Sequence, residues 1–301
     1  MLERTIRPRH AIDLALTLGP LCRGRRDPTT RVGASGIWRA TRTPEGPVAT
    51  HLRSSGNEIA VRAWGPGSAW ALAAAPVLVG ATDDDRDFRP LHPKVAELHR
   101  RLPGLRISRS NAVVEALVPT IIEQKVQGTA AKRSYRALVC TWGEPAPGPA
   151  GDAGLLLPPS PRFLADAPSY AFHPFGLERK RADAIRRACS YAHRLEETTT
   201  MAVADARLRL CALPGVGPWS AAEIAMVALG DADAVSIGDY HLPHDVSWAL
   251  AGEARGTDER MLELLEPFAG HRGRVIRLLM AAGIRAPRYG PRLPLQRIAD
   301  V

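Results

Sequence analysis

Two short runs of this chain carry residue types that could do chemistry. The first is Leu213-Pro214-Gly215-Val216-Gly217-Pro218-Trp219-Ser220, and the second, a little further on, is Ile237-Gly238-Asp239-Tyr240-His241-Leu242-Pro243-His244-Asp245. Two glycines one residue apart allow a tight hairpin between helices without Cβ clashes. Pro218 suits the first turn of the second helix, where its missing N–H would be unpaired anyway. The N–H groups that such a hairpin exposes, backed by a helix N-terminus, can accept a phosphate. Asp239 ends a glycine-containing loop, where its carboxylate either caps the next turn or faces a cleft.

The rest of the sequence must position these runs. Its 301 residues are 45% apolar, which excludes a wholly disordered chain and provides for a sizeable core in one or two packed units. The formal charge of +9 and pI near 9.9 make polyanions the first partners to consider. All but one of the nine excess charges lie in the first 170 residues. Lysine is scarce: Lys94, Lys125, Lys132 and Lys180 are the four present, and none follows Lys180. Cys22, Cys140, Cys189 and Cys211 are too scattered for a disulfide scaffold, a zinc ribbon or an iron–sulfur loop. No signal-like or membrane-spanning apolar run is present, so the sequence leads us to expect a cytoplasmic protein, nucleoid-associated if bacterial.

Segments 12–18, 35–41, 47–53 and 58–64 read as strands separated by turn residues, with Ile59, Val61 and Ala63 on one sheet face. An Ala-rich helix over 68–79 would pack on this sheet, its length limited by Pro76. Beyond the acidic turn at 83–87 the spacing becomes helical, over 92–101, 111–123, 127–141, 178–194, 202–212, 218–229, 257–266 and 271–282. The Pro/Gly-rich stretch 144–161 reads as a mobile or extended internal loop of the helical part, or as a linker. The expected architecture is α+β: an antiparallel region over 1–88 and a mainly helical region over 89–301, the latter in one or two lobes.

A helix–hairpin–helix followed by a Gly/Pro loop and an aspartate resembles the helix-hairpin-helix DNA glycosylases, and within them the alkylation-repair branch typified by bacterial 3-methyladenine DNA glycosylase II. Pro103-Gly104-Leu105, the run 116–126 with Ile121-Ile122-Glu123-Gln124, and Leu177-Glu178-Arg179-Lys180-Arg181-Ala182 match the family's helices in order, and the N-terminal sheet resembles its extra domain. The resemblance implies a monomer that flips a damaged nucleotide out of double-stranded DNA and hydrolyses the N-glycosidic bond of an alkylated purine. It implies no nucleotide cofactor and no membrane partner. A non-catalytic damage-recognition protein, and a glycosylase for deaminated or oxidised bases, are the alternatives.

Carried over residue by residue, Asp239 takes the place of the catalytic aspartate. A departing base leaves positive charge on the deoxyribose, which a nearby carboxylate stabilises or to which it orients water. Trp219 stands where strand-cleaving relatives place a Schiff-base lysine, which implies a monofunctional enzyme. Trp219, Glu223, Tyr240, Phe172 and His173 are the candidate base-pocket residues. Leu213, Gly215, Val216, Gly217 and Ser220 would hold DNA phosphate, with a monovalent cation conceivable at the Leu213 and Gly215 carbonyls. His271, Arg272 and Arg274 would approach the backbone or lesion rim. The duplex wedge is Lys125, Gln124 or Gln127; lysine there departs from the apolar wedge of the archetype. His241 and His244 offer metal-ligand types, but no cysteine or second spaced pair supports a catalytic metal, and DNA contact or capping serves as well.

Overall fold

The computed structural model describes residues 1–288; positions 289–301, the end of the expected helical region, lie outside the described residues. Five antiparallel strands form one sheet: β1 (Leu2–Ile6), β2 (Thr30–Gly33), β3 (Gly36–Thr43), β4 (Gly46–Ser55) and β5 (Glu58–Trp64), in the order β1-β5-β4-β3-β2. Ile37 pairs with Leu52 and Leu52 with Val61, so an apolar row crosses three strands. Ile59, Val61 and Ala63 do share the buried face. That face is covered by α1 (Leu14–Leu18) and α2 (Ser68–Leu78), through Leu14, Leu18, Ala71, Leu72 and Ala75.

Three details depart from the sequence expectation. Within the expected strand 12–18, residues 14–18 are helical, because the Asp13 carboxylate accepts the Leu16 N–H at 3.0 Å and caps a turn whose Leu14 and Leu18 lie on one face. The edge strand β1 lacks apolar alternation and is held by pairing with β5, including a Glu3–Arg62 ion pair. The stretch 144–161 is ordered: α6 (Pro149–Asp152) sits between the paired two-residue strands β6 (Glu144–Pro145) and β7 (Leu156–Leu157). Ala146, Ala150, Leu155 and Leu157 pack on Ala40 and Ala49, so this segment covers the sheet's second face.

The helices that follow are α3 (Pro93–Arg101), α4 (Val113–Glu123), α5 (Gly128–Trp142), α7 (Pro161–Asp166), α8 (Arg179–Ser190), α9 (Ala192–Glu196), α10 (Val203–Cys211), α11 (Pro218–Ile224), α12 (Leu242–Ala251), α13 (Asp258–Leu265) and α14 (Arg272–Ala281). The expected helix 178–194 breaks at Tyr191, and 218–229 continues beyond α11 as a π-helical turn ending at Gly230. Helix α12 had no counterpart in the periodicity. One apolar cluster surrounds α4 and draws on α5, α8, α10 and α11; another joins α3, α12, α13 and α14 through Val95, Leu98, Val246, Met261, Leu265 and Ile276. Among the described residues no helix is long and apolar enough to cross a membrane.

Pro76 lies inside α2, where it removes the N–H that would bond the Leu72 carbonyl. The Arg4 guanidinium of β1 donates to that carbonyl at 2.8 Å, so an edge-strand arginine replaces the missing helix bond. Arg4→Met should therefore lower unfolding free energy by about 1 kcal/mol. Urea titration of a double-mutant cycle checks this: adding Pro76→Ala, which restores the N–H, should recover most of the loss.

Candidate active site

Helices α10 and α11 are joined by a hairpin over 212–217, closed by a Val216 N–H donating to the Leu213 carbonyl at 2.9 Å. Gly215 has φ +99°, and a Cβ there would also come within 3.1 Å of the Ala184 methyl; both favour glycine. Leu213 and Val216 are buried and turn their side chains into the core. The Gln124 amide, at the end of α4, donates to the Gly215 carbonyl at 2.8 Å and to the Ser220 hydroxyl at 2.9 Å. Arg181 binds the Gln124 carbonyl at 2.6 Å. Gln124 is thus committed to holding the hairpin, and Ser220, 2% exposed, is an internal partner of Gln124. Burial takes Ser220 away from the DNA contact expected of it, whereas Gln124 stays half-exposed at the end of α4. The Leu213 and Gly215 carbonyls expected for a cation each accept one protein hydrogen bond, from Val216 and Gln124 respectively.

Two side chains one turn apart on α11 meet the loop that carries Asp239. The Trp219 indole N–H donates to Asp239 Oδ2 at 3.0 Å. One turn on, Glu223 accepts the Ser236 hydroxyl in a short contact. Asp239 Oδ1 accepts the backbone N–H groups of His241 and Leu242, both at 2.8 Å, at the start of α12. The capping reading of Asp239 is realised by one oxygen, and the other faces Trp219 on α11. Gly238, with φ +88°, gives its N–H to Asp258 at 2.9 Å, which fixes the turn before Asp239. Asp239 and Trp219 are half-buried, open to solvent on one side.

Behind this pair the surroundings are polar but poorly solvated. Burial raises the Glu223 carboxyl above its ordinary range, with the Glu123 and Asp239 charges adding and the Ser236 hydroxyl opposing. Arg277 of α14 faces Glu223 with its charge; burial pushes its guanidinium down to about 10, and it donates to the Leu16 carbonyl at 2.8 Å. Ser236 and Arg277 were not singled out by the sequence; the only signal was a serine and an arginine on elements flanking the aspartate loop.

Other expected residues lie elsewhere. Phe172 is fully buried and meets the Trp142 ring edge-on at 5.0 Å, so it is core and not pocket. His173 lines a separate surface depression with Ser169, Tyr170, Leu177 and Arg179. A cavity of about 60 Å³ beneath Pro158 and Pro159, lined also by Glu115, Tyr135 and Glu196, has neither Asp239 nor Trp219 in its walls. Tyr240 is 81% exposed beside Asp239, its ring edge-on to His241 at 4.8 Å. Lys125 is exposed at the α4–α5 turn with φ +54°, and Gln127 is exposed at the start of α5. His244 accepts the Gly256 N–H at 3.1 Å, a structural use of its ring. Among the described residues no His/Cys/Asp/Glu group could hold a metal ion.

The expectation for the start of α14 is corrected most strongly. Arg274 is 2% exposed and makes two bonds to Asp83, at 2.7 and 2.8 Å, while its Nε donates to His271 at 3.2 Å. It lies over the Phe88 ring at 5.9 Å. Arg272 is likewise engaged, by both oxygens of Asp233. A basic cluster in sequence is here an internal ion-pair network that ties α14 to the 83–85 turn, not a free phosphate-binding face.

No protein-family model matches the chain. A probable bifunctional transcriptional activator/DNA repair enzyme AlkA from Mycobacterium tuberculosis is 30% identical over 165 residues, covering 55% of this chain and 32% of that protein. The match thus spans about a third of the relative's length. Among solved structures, a 3-methyladenine DNA glycosylase from Archaeoglobus fulgidus superposes with a TM-score of 0.78 at 19% identity, over 92% of this chain and 97% of that one. A Clostridium acetobutylicum 8-oxoguanine glycosylase/lyase, solved with double-stranded DNA, gives 0.67 at 13% identity over 94% and 97%. The chain shares the fold of these solved glycosylases, an α+β architecture with the antiparallel sheet that the sequence resemblance implied.

Two outcomes test this arrangement. Because the Glu223 pKa is raised in the fold, its protonated form stabilises fully below the ordinary value of 4.5 and that contribution is lost as pH rises through the folded value. Glu223→Gln, which still accepts from Ser236, should therefore raise the melting temperature near pH 8 and leave it unchanged near pH 4. Arg274→Met, by stranding the buried Asp83, should lower stability by about 3–5 kcal/mol in urea titration; a residue serving DNA contact alone would leave stability intact.

Proposed function

We propose that this chain is a monofunctional DNA glycosylase that removes alkylated purines such as 3-methyladenine from double-stranded DNA and leaves an abasic site. The observation that carries the proposal is the Asp239 carboxylate, held by the Trp219 indole at 3.0 Å and by the start of α12 while one side stays open to solvent. The fold supports the reading, as does the likeness to the A. fulgidus 3-methyladenine glycosylase and to the probable DNA repair enzyme of M. tuberculosis.

In the proposed reaction the hairpin backbone around Gly215 and Gly217 binds phosphate beside the lesion. Lys125, exposed at a left-handed turn, enters the gap left by the flipped nucleotide, its stem against the bases and its amine toward solvent or phosphate. Extrusion costs a few kcal/mol, least at damaged pairs, which supplies part of the selection. The flipped base lies against Trp219, whose π face attracts an electron-poor alkylated ring, with Tyr240 at the rim. As the C1′–N bond lengthens, positive charge grows on the sugar; Asp239 stabilises it and orients the water that adds at C1′. The water proton leaves with the base or passes to solvent, and no covalent enzyme intermediate forms.

Trp219 occupies the position where an amine nucleophile would be needed for strand cleavage, and no lysine follows Lys180. The C. acetobutylicum neighbour is described as a glycosylase/lyase; a lyase step here would lack its amine in this region.

Base release from duplexes carrying methylated, ethylated, deaminated or oxidised bases tests the proposal. The intact protein should release alkylated purines, with strand breaks appearing only after alkali. Asp239→Asn should lower the rate at least about 100-fold, in the range seen when one electrostatic stabiliser of a transition state is removed. Binding without any release would favour a damage-recognition role, in which Asp239 serves only as the α12 cap. Release of deaminated or oxidised bases alone would move the substrate class.

A further inference from the structure

Several exposed arginines are neutralised locally, Arg7, Arg62, Arg86 and Arg209 among them, each holding a carboxylate. One region differs. Arg25 and Arg26, in the loop before β2, and Lys132, Arg133 and Arg136, on the first turns of α5, are all exposed, and among the described residues none of them has a carboxylate partner.

The two sets are brought together by specific contacts. Arg23 reaches Glu123 at the end of α4, with 3.4 Å between Nη1 and Oε1. The Lys132 stem lies against Gly24, 3.2 Å from where a Cβ would sit, and Gly24 has φ +99°. Asp27, the acid nearest Arg25 and Arg26 in sequence, is diverted: one oxygen accepts the Arg23 N–H at 2.6 Å and the other the Thr29 N–H at 2.8 Å. The loop is thereby preorganised, with its carboxylate spent on backbone and its two guanidiniums free. Like charges assembled from distant parts of the chain repel one another, and a polyanion removes that penalty.

Adjacent residues of α4 show where this surface lies. Gln124 reaches the hairpin and Glu123 reaches Arg23, so the Lys125 turn is bracketed by the hairpin on one side and by the arginine loop on the other. We propose that the 23–27 loop and the exposed face of α5 form a second phosphate-binding track, which holds duplex DNA on the flank of Lys125 away from the hairpin. This inference rests on the proposed action on duplex DNA. It adds the sheet region to the DNA-binding surface and gives the unpaired arginines there a role.

The test is the salt dependence of binding to a short undamaged duplex, followed by fluorescence anisotropy, with base release measured in parallel. Each phosphate that a variant no longer neutralises lowers the slope of log Kd against log salt by about 0.9, so Arg25→Ala/Arg26→Ala should lower it by about 2. Arg9→Ala/Arg162→Ala, which removes two exposed charges from other elements, should leave it unchanged. Gly24→Val, which adds no charge but displaces the loop from Lys132, should lower the slope as well. Equal melting temperatures confirm folding. An unchanged slope in the Arg25/Arg26 variant, or an equal fall in the control, overturns the track even if base release proceeds normally. A lowered slope without any base release upholds the track and sinks the glycosylase reading. If the intact protein binds no duplex, both fall together.

Discussion

A half-buried carboxylate keeps one useful orientation only if its oxygens are held, and in this chain Asp239 is held from two directions. Two backbone N–H groups at the start of α12 take Oδ1, and the Trp219 indole takes Oδ2. Much of the surrounding structure serves that arrangement. The hairpin sets α11 so that Trp219 and Glu223 face the loop. Asp258 fixes Gly238, and Ser236 ties the same loop to Glu223. A side chain with a single acceptor oxygen could not satisfy both ends, so the carboxylate joins local stability to the open side where chemistry would occur.

The arginine-rich composition serves two physical ends. Arginine's planar fork suits bidentate pairs in poorly solvated places, and Arg274 uses it on Asp83 to tie α14 to the 83–85 turn. Arg4 uses the same donors to replace a bond that Pro76 removes. The exposed arginines left without acids are the ones that inform about partners. Net charge alone does not separate these groups; the pairing does.

The legible parts of the sequence were those governed by local rules. The Gly215 and Gly217 spacing with Pro218 located the hairpin, and the alternation at Ile59, Val61 and Ala63 located the sheet face. Trp219, Glu223 and Asp239 were brought together as their positions suggested. What failed depended on contacts across the chain. Helix α12 was hidden because its cap, Asp239, lies in a run rich in turn residues, although Pro243 near its start was a usable signal. Asp13 overrode the alternation in 12–18. Gln124, Ser220 and Arg274 have residue types common at nucleic-acid surfaces, yet each finds a partner inside the protein. Phe172 belongs to the core for the ordinary reason that a large ring beside other rings is best buried.

In the proposed reaction Asp239, held by the Trp219 N–H, supports bond cleavage, and that support is the central claim. Its most direct test is single-turnover release of 3-methyladenine from duplex DNA by the intact protein, Trp219→Phe, Asp239→Asn and the double variant, at saturating protein. The account predicts release by the intact protein, a slower rate in Trp219→Phe, which keeps an aromatic face but lacks the N–H, and a double variant no slower than Asp239→Asn alone. Additive losses, or no release by the intact protein, would contradict it.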